Sequence, residues 1–268
     1  MTDHGAADAR VHWPATNLRE LGGYTTPHGA VRTGALYRGG RMDELDDEGR
    51  AVYAGLGLHT IIDLRRPDEV ADSPTPRFGD ERNVHLSVST GSNAFAEAAA
   101  RADDPATADE VLAQAANYFR VIVTERLPLW QPVFDTVLEA GGEPVLFHCT
   151  AGKDRTGFLA AALLKFLDAD DDVVFADFEL STEVRRPWAE ERLEFHRRRM
   201  AAERGIAVDE VPNASLDAWW ALMSAPPEFL RTTFDAVAET YGDWHTMRRD
   251  GLGISDDRLA AWRREIIE

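Results

Sequence analysis

Cysteine is almost absent from this chain of 268 residues, which contains a single one, Cys149. A lone cysteine excludes an intramolecular disulfide framework and fits a reducing compartment. Lysine is nearly as scarce, because only Lys153 and Lys165 stand among 29 basic residues. Cys149 and Lys153 lie only four positions apart, so the sequence concentrates two of its rarest residues in one short segment.

Long apolar runs and an excess of basic residues are also missing. The opening residues contain no apolar signal core, and the longest strongly apolar run, Phe158–Leu164, is far too short to cross a bilayer. A formal net charge of −18 repels nucleic acid and anionic membranes over most of the surface. We expect a soluble, cytoplasmic protein with no transmembrane segment and no nucleic-acid partner. Export by a route without a signal peptide stays open.

The rest of the composition, with 44% hydrophobic residues and seven tryptophans, is typical of a folded globular protein. Before residue 150, short apolar runs typical of strands interleave with amphipathic segments, and helical patterns dominate after it. This order predicts an α/β fold, with a central sheet flanked by helices and additional C-terminal helices. No internal repeat or clear linker is visible, so we expect a single domain over residues 1–268.

Sequence patterns also predict the bounds of several local elements. Compact apolar runs predict buried strands at Leu58–Leu64 and Pro144–Phe147. Three prolines predict a loop over Arg66–Gly79. After residue 169, two separate helices are expected, Asp170–Glu183 and Pro187–Arg204, divided near the proline.

The segment VLFHCTAGKDRTG, residues 145–157, carries the strongest chemical signal. Five residues separate Cys149 from Arg155, with an apolar strand before the loop and an apolar helix after it. A short loop between a strand and a helix can direct several backbone N–H groups at the oxygens of a phosphate, and the helix adds its positive end. We therefore predict that the phosphate is bound by Thr150, Ala151, Gly152, Lys153, Asp154 and Arg155.

The side chains of this segment suit nucleophilic phosphoryl transfer. Cationic neighbours and helix N-termini lower a cysteine pKa from about 8.5 to roughly 3.5–7.5, which favours a nucleophilic thiolate at Cys149. Arg155 has a planar fork that fits two phosphate oxygens. His148 is expected to stabilise the loop and the thiolate by hydrogen bonds. Thr156 is expected to place a hydroxyl near the sulfur when the thiolate leaves the phosphocysteine.

A leaving alkoxide or phenoxide needs a proton, and two carboxyl groups are candidates for the general acid. Asp154 lies inside the loop, and Asp63 stands at the end of a predicted strand, where an aspartate often only caps or turns the chain. The sequence does not choose between them. Lys153, a flexible ammonium at the tip of the loop, is a candidate for contacting a second phosphate or another anionic group. No spacing typical of metal ligands appears, and no cofactor is expected.

The HCTAGKDRTG segment resembles the phosphate-binding loop of the protein tyrosine phosphatase superfamily. Other segments resemble the atypical bacterial tyrosine and lipid phosphatases: NLRELGGY at 17–24, LYR at 36–38, IIDLR at 61–65 and GLGISDDRLAAWR at 251–263. The resemblance implies a tyrosine-phosphatase-like sheet with Cys149 as nucleophile, Arg155 as phosphate clamp and Asp154 as an acid or positioning residue.

The resemblance also implies a lid of C-terminal helices over the site. The residues that fit such a lid equally fit an ordinary helix core: Trp219, Trp220, Met223 and Phe229. An acid loop of the Trp-Pro-Asp type is not apparent, because Ala15 follows Trp13 and Pro14.

The implied activity is metal-independent hydrolysis of phosphate monoesters. The substrate would be a protein carrying phosphotyrosine, and with it phosphoserine or phosphothreonine, or a phosphoinositide; inorganic phosphate would be the product. A rhodanese-like sulfurtransferase is one alternative, although Arg155 and Thr156 suit phosphate better. A non-catalytic phosphate-binding module is another, although such modules usually lack the cysteine or the arginine.

Overall fold

The structure, a computed structural model, describes residues 8–89, 101–104 and 108–268. In these residues six strands form the main sheet and two more form a small hairpin. The strands of the main sheet are β1 (Val11–Trp13), β2 (Leu18–Glu20), β5 (Leu36–Gly39), β6 (Thr60–Asp63), β7 (Arg82–His85) and β8 (Val145–His148); the hairpin pairs β3 (Thr25–Thr26) with β4 (Gly29–Ala30).

The strand order across the sheet is β1-β2-β5-β8-β6-β7. From β5 to β7 the strands are parallel, and β2 and β1 continue the sheet in antiparallel fashion. The register places Gly39, His148 and Asp63, the last residues of three adjacent strands, side by side. The carboxyl ends of the parallel strands therefore meet at one edge, which is where ligands bind in open α/β sheets.

Helices cover the sheet and make up most of the carboxyl-terminal half. They are α1 (Asp47–Gly55), α2 (Pro67–Asp72), α3 (Ala108–Glu125), α4 (Leu127–Glu139), α5 (Asp154–Phe166), α6 (Asp171–Arg204), α7 (Asn213–Met223), α8 (Pro227–Tyr241), the short α9 (Trp244–Thr246) and α10 (Asp256–Ile266). Within the described ranges, each helix is too short or too polar to span a membrane.

Alternation along the strands divides the apolar interior between the two faces of the sheet. Ile62 of β6 and Phe147 of β8 join the large core, which is completed by side chains of α3 to α6. Their neighbours Ile61 and Leu146 join a smaller core, which α1 covers with Tyr53. Because successive side chains of a strand point to opposite faces, fully apolar strands are the ones buried on both sides. The predicted α/β fold with helices flanking the sheet is confirmed.

Two local predictions are wrong. The segment Arg66–Gly79 is not all loop, since α2 starts at Pro67, where the missing N–H is not needed, and the Glu69 carboxylate accepts a hydrogen bond from the N–H of Arg66 at 2.9 Å. Helix α6 also continues through Pro187 without the expected break. Pro187 lies on the exposed side of α6, so the carbonyl that loses its helical partner can bind water instead.

Candidate active site

The candidate site is built on the loop between β8 and α5, at the carboxyl end of a central strand. β8 is buried along its whole length and delivers Cys149 to the start of the loop. The chain then turns at Gly152, whose φ is 65° and where an added Cβ would lie 2.6 Å from the carbonyl carbon of Gly39. Both conditions demand glycine. Helix α5 starts at Asp154, so its positive end adjoins the loop.

Cys149 lies at the base of this loop with 2% of its surface exposed. Burial alone would raise the thiol pKa. The Arg155 guanidinium and hydrogen bonds from the hydroxyl and N–H of Thr156 outweigh burial, so the pKa of Cys149 is lowered. A lowered pKa increases the fraction of thiolate at neutral pH, and the thiolate is the nucleophilic form. The structure thus brings Cys149, Arg155 and Thr156 together.

Arg155 has a partner that the sequence analysis missed, Glu69 of α2. Nη1 and Nη2 of Arg155 donate to the two carboxylate oxygens of Glu69 at 2.7 and 3.0 Å. The Thr150 hydroxyl donates to the same carboxylate and accepts from Arg155 Nη2 at 3.2 Å. Burial opposes ionisation of Glu69, but Arg155 and Thr150 lower its pKa to about 2. The available signal was a glutamate at the third position of a helix that begins with proline.

This pairing leaves Arg155 able to bind an anion as well. A guanidinium carries five N–H donors in one plane, and an end-on carboxylate uses two of them. The edge formed by Nε and Nη2 can present a fork to a phosphate once Nη2 releases the Thr150 hydroxyl. Glu69 therefore orients the plane of Arg155 while using only two of its five donors.

Asp63 lies in a buried ion pair. Its carboxylate accepts hydrogen bonds from Arg65 Nη2 and from the Thr75 hydroxyl, each at 2.7 Å, and His148 Nε2 is 3.7 Å away. Burial raises the pKa of Asp63, yet Arg65, His148 and Thr75 together hold it well below its usual range. Because a general acid must carry its proton at the working pH, this environment weighs against Asp63 as the proton donor.

His148 is fully buried next to Cys149. Its Nδ1 donates to the carbonyl oxygen of Cys149 at 3.1 Å, and its Nε2 lies 3.1 Å from the Thr75 hydroxyl. Burial lowers the pKa of His148, although the negative charge of Asp63 acts in the opposite direction. The lowered pKa favours the neutral ring. His148 thus stabilises the backbone of Cys149 through this hydrogen bond.

Asp154 and Lys153 stand together at the beginning of α5. The Asp154 side chain is 16% exposed, and its Oδ1 is 3.4 Å from Lys153 Nζ. Lys153 is only 1% exposed, and its Nζ donates to the carbonyl oxygen of Leu222 at 2.6 Å. The expected flexible ammonium is therefore buried in this structure. The physical reason is that the last carbonyls of a helix, here α7, lack helical partners and attract cations.

Comparisons with known proteins agree with this geometry. The sequence profile of a family described as the Tyrosine phosphatase family matches residues 13–268. The chain belongs to this family. Two relatives match nearly the whole chain. The triple specificity protein phosphatase PtpB of Mycobacterium tuberculosis is 30% identical over 278 residues, covering 94% of this chain and 97% of the relative. A putative tyrosine-protein phosphatase of Cupriavidus necator is 28% identical over 248 residues, covering 91% and 84%.

One matching solved structure is more distant in sequence than these relatives. The crystal structure of P. aeruginosa TpbA is 18% identical, covers 72% of this chain and 96% of that one, and superposes with a TM-score of 0.30. Family membership thus rests on the sequence profile and on the relatives, and it identifies the chain as an enzyme of the protein-tyrosine-phosphatase type.

The carboxyl-terminal end of α7 contacts Lys153 in the loop between β8 and α5. Helix α6 contacts the same end of α7. Arg185 Nη1 of α6 donates to the carbonyl oxygen of Met223 at 3.4 Å. Of the residues that fit a lid, Met223 and Phe229 are buried, and Trp219 stacks on His196 with 3.6 Å between ring centroids. These three residues pack against neighbouring helices in this conformation, whereas Trp220 is half-buried.

Helix α3 brings a second residue that the sequence analysis missed, Tyr118. Its hydroxyl is close enough to Arg155, Asp154 and Cys149 for their charges to act on it, while burial raises the pKa of Tyr118 to about 12. The hydroxyl is therefore protonated at neutral pH. Helical periodicity marks Tyr118 only as a core position, so no local signal points to this location.

Proposed function

We propose that this phosphatase hydrolyses phosphate monoesters in two steps through a phosphocysteine at Cys149. The observation that carries the proposal is that Cys149 lies buried at the base of a loop that also holds Arg155, whose guanidinium lowers the pKa of the thiol. In the first step the sulfur attacks phosphorus and the bond to the leaving oxygen breaks. In the second step water attacks the phosphocysteine, releasing inorganic phosphate and restoring the thiolate.

We assign the general acid to Asp154. It begins α5 beside the nucleophile, and its side chain is partly exposed, so it can reach the leaving oxygen and then a water. Asp63 is committed to Arg65 and buried. The contrast between the two environments supports Asp154 as the group that gives a proton in the first step and takes one from water in the second.

For substrates we propose phosphotyrosine first, with phosphoserine, phosphothreonine and phosphoinositides as further classes. The printed name of the mycobacterial relative, a triple specificity phosphatase, supports broad use of one site. Contact of Lys153 with a second phosphate would require the ammonium to exchange its hydrogen bond to Leu222. The cytoplasm is the compartment that we propose, because its reducing state keeps a lone nucleophilic thiol active.

The proposal is tested by measuring steady-state phosphate release, in the presence of a chelator, by the wild type and by Cys149→Ser. The substrates are a phosphotyrosine peptide, a phosphoserine peptide and phosphoinositides. We expect the substitution to lower turnover by about 10⁴-fold or more while substrate still binds, as for other lost nucleophiles.

A fully active Cys149→Ser variant would overturn the phosphocysteine mechanism. A wild type that binds the peptides without turnover would favour the phosphate-binding module. Persulfide formation from thiosulfate without phosphate release would favour sulfur transfer.

A further inference from the structure

Two buried side chains contact the phosphate loop, residues 149–155, on the side that faces the sheet. Arg38 Nη2, from the end of β5, donates to the carbonyl oxygen of Gly152 at 3.0 Å. Asn17 Nδ2, next to β2, donates to the same oxygen at 3.0 Å and to the carbonyl oxygen of Ala151 at 3.3 Å. Both side chains belong to motifs, NLRELGGY and LYR, to which the proposed mechanism gives no role.

These contacts fix the direction of two peptide groups. In a trans peptide the C=O and N–H bonds point in opposite directions. With the carbonyls of Ala151 and Gly152 turned towards Asn17 and Arg38, the N–H groups of Gly152 and Lys153 point to the other side of the loop. Hydrogen bonding of a carbonyl also polarises the N–H of the same peptide and strengthens it as a donor.

Asp177 of α6 holds both donors in place. Its carboxylate pairs with Arg38 Nη1 and with Arg19 Nε, the latter at 3.1 Å. Arg19 Nη1 in turn donates to the Asn17 Oδ1 at 2.6 Å. One carboxylate thus organises two routes to the loop, one directly through Arg38 and one through Arg19 and Asn17.

The excess of positive charge in this buried cluster favours the hydrogen bond from Arg38 to the loop. Two guanidiniums, Arg19 and Arg38, share the single carboxylate of Asp177, and all three side chains are buried. Burial and the neighbouring Arg19 lower the pKa of Arg38 to about 10, so it stays protonated at neutral pH. Removing a partner from a buried cation is strongly destabilising, and the Gly152 carbonyl accepts a hydrogen bond from Arg38. Rotation of that peptide is therefore strongly disfavoured.

We propose that Asn17, Arg38 and Asp177 are positioning residues that keep the phosphate loop in its anion-binding conformation before any substrate arrives. The inference rests on the proposed function of this loop, because it explains how the N–H groups are preorganised for the transferring phosphoryl group. The competing interpretation is that the cluster only joins α6 to the sheet, which would affect stability without affecting the loop.

The test compares Asn17→Ala, Asp177→Asn, Arg38→Met and the conservative Arg38→Lys with a matched control, Arg248→Met. Arg248 is also a buried arginine that donates to a backbone carbonyl, that of Ile254, and to a carboxylate, that of Asp256. None of these partners belongs to the phosphate loop. For each variant we would measure the melting temperature, the Kd for tungstate, and the pH dependence of Cys149 alkylation by iodoacetamide.

Alkylation reports on the nucleophile alone, because Cys149 is the only cysteine of the chain. We expect Arg38→Met and Asn17→Ala to weaken tungstate binding by about tenfold, less than the ~10²–10³ in rate that follows loss of a direct donor. Alkylation should also move to higher pH. Arg38→Lys, which keeps a cationic donor group, should recover part of both effects, and Arg248→Met should change only the melting temperature.

The inference is overturned if the loop variants melt earlier but keep wild-type tungstate affinity and alkylation profile, or if Arg248→Met weakens tungstate binding equally. Should Arg38→Met not fold, Asn17→Ala and Asp177→Asn decide the matter. Neither tungstate binding nor alkylation of Cys149 requires turnover. A wild type that hydrolyses no phosphate ester while these variants still lose tungstate affinity would remove the proposed function and leave the positioning role standing.

Discussion

Two arginine–carboxylate pairs contact the phosphate loop, and they differ in exposure. The front pair, Arg155–Glu69, has side chains 13% and 17% exposed. The back pair, Arg38–Asp177, has side chains 0% and 2% exposed. Both join an arginine to a carboxylate, and in both the carboxylate helps to hold the guanidinium in place.

The difference in exposure indicates which arginine a ligand can reach and which can only support the loop backbone. At the front pair, a ligand can reach the edge of Arg155 that Glu69 leaves open. At the back pair, no edge of Arg38 is accessible, and its remaining contact is the carbonyl of Gly152. Of these two arginines, therefore, only Arg155 is placed where a ligand could contact its guanidinium.

The sharpest test of this contrast is the same substitution in each pair. Arg155→Lys keeps the charge but loses the fork that binds two oxygens in the transition state, so kcat/KM should fall by about 10³-fold or more. Arg38→Lys should lower it by less than about tenfold, since Arg38 acts through the backbone and the lysine keeps a cationic donor group. Steady-state phosphate release gives both values, and equal losses at the two positions would erase the distinction.

The next largest effect separates the two aspartates. Asp154→Asn should lower kcat by about 10²-fold for an alkyl phosphate and much less for nitrophenyl phosphate, whose leaving group needs no proton. Asp63→Asn should instead destabilise the protein by about 3 kcal/mol, because it leaves Arg65 buried with a weaker partner. Rates for both esters and urea denaturation distinguish these outcomes. A leaving-group dependence that appears in Asp63→Asn alone would return the acid role to Asp63.

A smaller effect is expected from Glu69→Gln in the front pair. The amide keeps one hydrogen bond to Arg155 but cannot fix both Nη groups, so the guanidinium gains orientational freedom, and kcat/KM should fall by about tenfold. A tungstate Kd measured alongside shows whether anion binding falls with it. Unchanged kinetics would mean that the loop alone orients Arg155.

The smallest effect is the dependence of stability on pH. Folding lowers the pKa of Glu69 from 4.5 to about 2, so its contribution to stability is fully present above about pH 4.5 and is lost as the pH falls towards 2. Between pH 6 and pH 3, the wild type should therefore lose about 1–2 kcal/mol more than Glu69→Gln in urea denaturation. Parallel pH profiles for the two proteins would contradict this assignment.

The parts of the site that follow from short-range pattern were predictable. A buried strand, a loop with glycine at its turn and an apolar helix place Cys149 and Arg155 close together whatever the rest of the fold does. The α/β class followed from the alternation of strand and helix patterns for the same reason. Local rules for proline were weaker, because proline can end a helix, start one or be tolerated within it. Pro67 starts a helix where a loop was predicted, and Pro187 lies inside a helix where a break was predicted.

The partners of the loop residues were not predictable, because each comes from a distant segment. Glu69 reaches Arg155 across 86 positions, Asp177 reaches Arg38 across 139, and Leu222 reaches Lys153 across 69. No periodicity in a single sequence records such pairings. They depend on how helices pack against the sheet, and the resulting burial decides the ionisation of each group.

The sequence by itself determined the α/β class, the curvature of the loop and the identity of the residues around it, since those depend on neighbours in the chain. The tertiary structure alone decided that Asp63 is held by Arg65, that Lys153 is buried against α7 and that one arginine faces solvent while another supports the backbone. Charges and donors act through space over a few ångströms, so their roles are set only when the fold has chosen their neighbours.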